Sequence, residues 1–221
     1  MSSYDALARI YDDAIDVSIY ENYLDVLKNF KGPKTLLEIG CGTAYLSREA
    51  SKLGYQTTAI DTNHSMLEVA SFSAYQAGAD INFYHHDMRE PFEGKYGVVV
   101  MAVDVVNHLE EVRDVKRLFD HITILLEADG VVVFDFLKAA YMQRLINHQE
   151  RLFVDEEAYQ WSVVKIDEDT IEHRITFQDE TFSHRERFFS ESMLLKAARA
   201  FKVLKRFVLE DRIILVLKKE E

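Results

Sequence analysis

The chain has 221 residues, 48% of them hydrophobic and 29% charged, which excludes a disordered or low-complexity chain and leaves enough material for one large buried core. Its net charge of −12 contains no basic run, which argues against a nucleic-acid or anionic-membrane surface. A single cysteine, Cys41, excludes an internal disulfide and a cysteine-based zinc cluster. The N-terminus lacks a basic segment followed by an apolar one, and no apolar stretch approaches the roughly 18 residues of a spanning helix, so a reducing cytoplasm is the expected compartment. All eight glycines and both prolines fall between Gly32 and Gly130, which excludes a tandem repeat or two equivalent halves.

In chain order, Leu7, Ile10, Tyr11 and Ile15, then Ile19, Tyr20, Tyr23, Leu24 and Leu27, recur at helical spacing and predict two short helices. From Thr35 short apolar runs alternate with amphipathic helices. Strands are expected at Thr35–Ile39, Thr57–Ile60, Ile81–His85, Gly97–Val103 and Gly130–Phe136, with helices at Leu46–Leu53, Ser65–Ala77 and Val112–Glu127. Asn63 suits the N-cap of the second of these helices, and Gly78 its C-terminal stop. This alternation implies right-handed crossovers and a parallel sheet covered on both faces, with its ligand outside the carboxyl ends of the strands.

After Phe136 the pattern changes. A helix around Ala139–Ile146 leads into segments of period two, Gln160–Ile166, Ile171–Gln178 and Thr181–Phe188, joined by turns at 167–170 and 178–181. They predict an antiparallel insert with one wet or ligand-facing side. Ser190 then caps a helix through Ala200, and Val203–Leu209 and Ile213–Lys218 form a closing strand pair.

The chemistry-bearing residues begin with Glu38-Ile39-Gly40-Cys41-Gly42-Thr43, a strand delivering a glycine turn to a helix start. Such a turn allows close backbone approach to a ligand, and the helix amides after it can hold a carboxylate or phosphate. A dinucleotide fingerprint would place a third glycine where Tyr45 stands, so a nicotinamide oxidoreductase is disfavoured. Asp61, at the end of the next strand, is placed to accept hydrogen bonds from both hydroxyls of a ribose, the alternative being a capping or solvated aspartate. Asp87 and Met88, after the third strand, offer an acceptor for an adenine amino group and an apolar face for its ring. His85 and His86 point to opposite faces of an extended strand, and no set at ligand spacing completes a metal site, so no metal is expected.

Taken together, Glu38 through Thr43, Asp61 followed by Met66-Leu67, Asp87-Met88, and the Asp129-Gly130 turn before a valine-rich strand resemble the class I S-adenosylmethionine-dependent methyltransferases. The insert before the last helix, and Tyr4, Tyr11-Asp12 and Tyr20 at the start, are more similar to the small-molecule branch with aminosugar N-methyltransferases and glycine N-methyltransferase-like proteins. The resemblance implies an α/β, Rossmann-like, mostly parallel seven-stranded sheet with helices on both faces. It also implies a single methyltransferase domain: a helical lid at 1–30, a cofactor-binding core at 31–137, an antiparallel substrate-side insert at 150–189, and the last helix and strand pair at 190–221. Glu38 would position the loop and the cofactor's amino end, Gly40, Cys41 and Gly42 would line the methionine moiety, and Asp61 with Thr62 would hold the ribose. Met66, Asp87 and Met88 would surround the adenosine, and Asp104 would complete the set. Ala44 departs from the family's third glycine and Gly97 from its usual aspartate.

The cofactor implied is S-adenosyl-L-methionine, leaving as S-adenosyl-L-homocysteine, with methyl transfer by in-line displacement to N or O of a small-molecule acceptor. His108, near the edge of the fourth strand, is the first candidate for a base or orienting group, and Tyr11 the second. Asp104 and Asn107 would be polar lining; Tyr159, Trp161, Arg174, His184, Arg185 and Arg187 would face the acceptor, two converging arginines suiting an anionic group. A nucleic-acid or protein methyltransferase and a non-catalytic S-adenosylmethionine-binding module are the alternatives; oligomeric state is not legible.

Overall fold

A computed structural model describes residues 16–154, 157–178 and 180–220. Tyr4, Leu7, Ile10, Tyr11 and Ile15 lie outside the described residues. Seven strands make one sheet: β1 (Thr35–Ile39), β2 (Gln56–Asp61), β3 (Ile81–His85), β4 (Tyr96–Met101), β5 (Leu126–Leu137), β10 (Phe201–Val208) and β11 (Arg212–Lys219). Their order is β10-β11-β5-β4-β1-β2-β3, and only β11 runs against its neighbours. The central strands are apolar on both faces because both faces are covered. In β4, Val99 and Met101 enter the core under α4 (Val112–Leu125) and α6 (Glu191–Ala197), while Val98 and Val100 enter the one under α1 (Glu21–Asn29) and α2 (Tyr45–Lys52). A 3-10 turn, Val17–Tyr20, leads into α1, which is the second of the two expected helices; the first falls outside the described residues.

Local chemistry sets the ends of the elements. Asn63 caps α3 (His64–Ala77), its side chain accepting from the Met66 amide at 2.8 Å, and Gly78 closes the helix at φ +63°. Gly97 answers to close packing: a Cβ there would lie 2.0 Å from the Pro33 carbonyl oxygen. The strand β5 opens at Leu126, four residues before Gly130, and takes up residues expected to end α4; its pairing with β4 shifts register between Tyr96 and Val98.

The insert is a separate four-stranded antiparallel sheet, β6 (Gln149–Val154), β7 (Glu157–Lys165), β8 (Thr170–Phe177) and β9 (Glu180–Arg187), reached through α5 (Ala139–Leu145). Three strands are expected here from the sequence, and β6 is an addition. Its apolar residues Leu152, Phe153 and Val154 are consecutive rather than alternating, so it carries no period of two. Ser190 caps α6, which ends at Ala197 rather than Ala200 because β10 begins at Phe201.

Candidate active site

The carboxyl ends of β1, β2 and β4 surround a cavity of about 250 Å³. Its floor is the turn after β1. Gly40 takes φ +67° and Gly42 φ +51°, and a Cβ on Gly40 would lie 2.7 Å from Cγ2 of Val105, so the turn can close against the 3-10 turn Val105–His108 only without one. Ala44 adopts φ +58° and starts α2, so it holds the left-handed conformation that a glycine would take without strain. Above the turn, Tyr45 stacks on Tyr20 with ring centroids 4.9 Å apart, and Tyr20 lines the cavity.

Glu38 and Asp61 are the carboxylates of this end. Glu38 is buried and accepts from the Ser47 hydroxyl; burial pushes its pKa up to about 7. Asp61 accepts the Gly42 amide on one oxygen and the Asn63 amide on the other, each at 2.8 Å, and burial raises its pKa as well. The Thr62 amide also contributes to this carboxylate, which with about four acceptor positions still has room for a ligand hydroxyl. The set fits an adenosyl amino acid: a turn with no Cβ at Gly40 and Gly42, acceptors at one end, and Met66 and Met88 as apolar walls.

On the opposite side β4 leaves the sheet through two consecutive left-handed residues, Val103 (φ +65°) and Asp104 (φ +55°). A β-branched residue in that region is an outlier, held only where the surroundings over-determine it. Here the Val103 amide donates to the Tyr23 hydroxyl at 3.4 Å, and the Asp104 amide to the Asp135 carboxylate at 3.0 Å. Arg212 locks the corner, donating to Asp135 at 2.7 Å and to Asp104 at 3.0 Å. Burial, with the nearby Glu186 charge, raises the pKa of Asp104 to about 6.

The insert reaches the same corner with a histidine cluster. His173 and His184 are cross-strand partners in β8 and β9, their rings stacked 4.8 Å apart at 5°. Both approach Glu186, His173 at 3.2 Å and His184 at 3.5 Å. Burial alone would raise Glu186, but the two imidazoles hold it well below the usual range. Burial opposes charge on His173, yet Glu186 lifts its pKa above the ordinary value, whereas for His184 burial wins and lowers it. The rings of His108 and His184 lie 5.5 Å apart. A second cavity, about 420 Å³, shares these two histidines with the first and is otherwise lined by Glu110, Glu172, Ser183 and Arg185.

Glu38, Gly40, Cys41, Gly42, Asp61, Thr62, Met66, Met88, Asp104 and His108 all line the first cavity. Asp87 does not: Arg89 holds both its oxygens, and His86 and Met88 face the cavity instead. Asn107 does not line the first cavity either, but borders a smaller one of about 170 Å³ together with His108, Arg185 and Arg187. It is fully buried, donating to the Arg187 carbonyl at 2.7 Å and accepting from the Leu137 amide at 3.1 Å. Arg174 and Arg185 do converge, but on Glu172 at 2.8 and 3.0 Å, so their charge is met within the protein, and Arg187 donates to the Glu110 carbonyl. Tyr159 is buried against Phe177. The role of His184 was one of several weak indications in the sequence. Its link to Glu186 and His173 depends on strand register, which no spacing rule supplied.

Two solved structures share this architecture across the whole chain. One is an S-adenosylmethionine-dependent methyltransferase from Clostridium acetobutylicum ATCC 824 (20% identity, 99% of each chain, TM-score 0.84). The other is the sugar N-methyltransferase KedS8 from Streptoalloteichus sp. ATCC 53650 (15% identity, 98% of this chain and 93% of that one, TM-score 0.76). The fold is therefore that of the class I, S-adenosylmethionine-dependent methyltransferases. A methyltransferase-domain family model matches residues 37–134. A protein of Geobacillus sp. (strain WCH70), provisionally named a methyltransferase, is 30% identical over 187 residues, 79% of this chain and 74% of its own length. The chain belongs to the methyltransferase family. Among the described residues no helix is long and apolar enough to cross a membrane.

Proposed function

We propose that the protein moves the methyl group of S-adenosylmethionine to a nitrogen or oxygen of a small-molecule acceptor. The observation that carries this reading is that His108 and His184 line two cavities at once, one whose residues suit an adenosyl amino acid and a second beside it. Bound there, the cofactor supplies an activated sulfonium methyl, so the protein's task is to align an acceptor lone pair with the S–CH3 bond and exclude water. Asp61 holds the ribose hydroxyls and Glu38 the amino end. Met66 and Met88 enclose the adenosine, and the Gly40–Gly42 turn brings backbone amides against the methionine part. Asp104 presents a carboxylate beside the methionine part from the β4 corner. His108, between the two cavities, orients the acceptor or takes its proton.

The division into lid, core, insert and closing strands belongs to the same proposal, with the insert supplying the acceptor wall; Tyr11, the second candidate for a base or orienting group, lies outside the described residues. Titration with S-adenosylhomocysteine and with NADH tests the cofactor. Tight binding of the first alone, weakened tenfold or more by Asp61→Ala, is the expected result; unchanged binding in that variant overturns the assignment. Methyl transfer across a panel of amines, aminosugars and phenols tests the acceptor class. His108→Ala should slow transfer at least tenfold with S-adenosylhomocysteine affinity retained.

A further inference from the structure

We propose that Asp104, His108, His184 and Glu186 form a site for a first-row divalent transition ion at the junction of the two cavities. Donor atoms of Asp104, His108 and Glu186 lie within 4.8 Å of one another, and those of His184 and Glu186 likewise, together with His173. Around an ion with bonds of about 2.1 Å, ligand atoms stand roughly 3 to 4 Å apart, so small rotations close Asp104, His108 and Glu186. His184, joined to them through Glu186 and with its ring 5.5 Å from that of His108, would turn in as the fourth ligand. It is contributed by three parts of the chain: the end of β4, the 3-10 turn after it, and β9.

His173 is a support and not a ligand. The Trp161 indole nitrogen donates to Nδ1 of His173 at 3.1 Å, which makes Nδ1 an acceptor and places the ring proton on Nε2. That proton points at Glu186, 3.2 Å away, so the nitrogen facing the cluster has no lone pair for a metal. An imidazole donating to a ligating carboxylate is the arrangement that orients and tunes metal ligands. His184 then supplies the second nitrogen, its Nε2 standing 3.5 Å from Glu186.

Charge points the same way. The side chains of Asp104, Asp135 and Glu186 are 15%, 0% and 6% exposed, and Arg212 is the guanidinium among them. Arg212 pairs with Asp104 and Asp135, and His173 meets Glu186; buried carboxylates are costly unless paired, and a dication at Asp104 and Glu186 would add to that compensation. Two imidazoles with two carboxylates select Mn2+, Fe2+, Co2+ or Zn2+ over Mg2+ and Ca2+, which prefer all-oxygen shells. The position beside both cavities lets such an ion hold an acceptor oxygen as a Lewis acid, in which case His108 orients the acceptor through the ion and is not the base.

The test uses the full chain, stripped with a chelator and titrated with Co2+ and with Zn2+ in the absence of any cofactor. One equivalent per chain, with visible ligand-field bands for Co2+, is the expected result. Glu186→Gln and His108→Asn should each weaken binding tenfold or more, and His173→Gln should weaken it less. The partly exposed position of His108 keeps the test valid if Glu186→Gln misfolds. No stoichiometric binding, or binding unchanged in both ligand variants but lost in His85→Ala, whose ring stacks on His64 far from the cluster in sequence, overturns the site. S-adenosylhomocysteine binding to the stripped protein is measured alongside, so failure of the metal site and failure of the cofactor assignment are read separately.

Discussion

Glu38 illustrates how one buried side chain couples stability to ligand. Its carboxyl is almost wholly removed from water, and burial draws it up from its ordinary 4.5 to about 7, so the fold favours its neutral form. That contribution is complete below pH 4.5 and is lost as pH rises through 7, at a cost on the order of 3 kcal/mol to the unliganded protein. Glu38→Gln imitates the neutral form and keeps an acceptor for Ser47. It should match the parent protein in thermal unfolding near pH 4 and exceed it at pH 8. If Glu38 meets the cofactor's ammonium as proposed, the liganded state favours the carboxylate instead. Binding of S-adenosylhomocysteine near pH 6.5 should then release a proton, read as a buffer-dependent heat in calorimetry, and Glu38→Gln should abolish that dependence and weaken binding.

At the level of elements, the cofactor end was legible because its determinants are local. A strand, a glycine turn and a helix start follow within a dozen residues of one another, and Asp61 ends the adjacent strand, so hydrophobic period and spacing are enough to bring Glu38, Gly40, Gly42 and Asp61 together. The acceptor end was not, because His173 and His184 meet by antiparallel register and then face residues from the end of β4. Asp87 shows a limit of the local reading too, since Arg89, two residues away, is a competing partner that spacing did not weigh. The joint between core and insert depends on Asn107. Its side chain satisfies the Leu137 amide of β5 and the Arg187 carbonyl of β9, binding the two sheets through one amide group. Asn107→Ala leaves both backbone groups without that partner and should cost about 2–4 kcal/mol. Urea unfolding checks the magnitude. Hydrogen exchange should show the loss of protection concentrated at the β5 and β9 ends of the joint, and a uniform loss across the parallel sheet would contradict this account.

At the scale of the whole molecule, the reversed direction of β11 explains how the site is held. A strand antiparallel to its neighbours begins where they end, so its first residue, Arg212, stands opposite Leu137 at the functional edge of the sheet. From there its guanidinium reaches Asp135 of β5, Asp104 after β4 and the adjacent Asp211, tying the last strand to the strained corner that carries the cavity wall. Such buried pairs contribute little net stability against an apolar replacement, yet removing one member leaves the others uncompensated. Arg212→Met should therefore destabilise the protein by about 3–5 kcal/mol. Asp135→Asn can still accept from the Asp104 amide but removes a charge that the methionine no longer balances. The double variant should be more stable than Arg212→Met alone, the two changes coupling favourably in a double-mutant cycle read by chemical unfolding. Simple addition of two losses would mean that Arg212 acts by packing its stem and not by neutralising the carboxylates of the site.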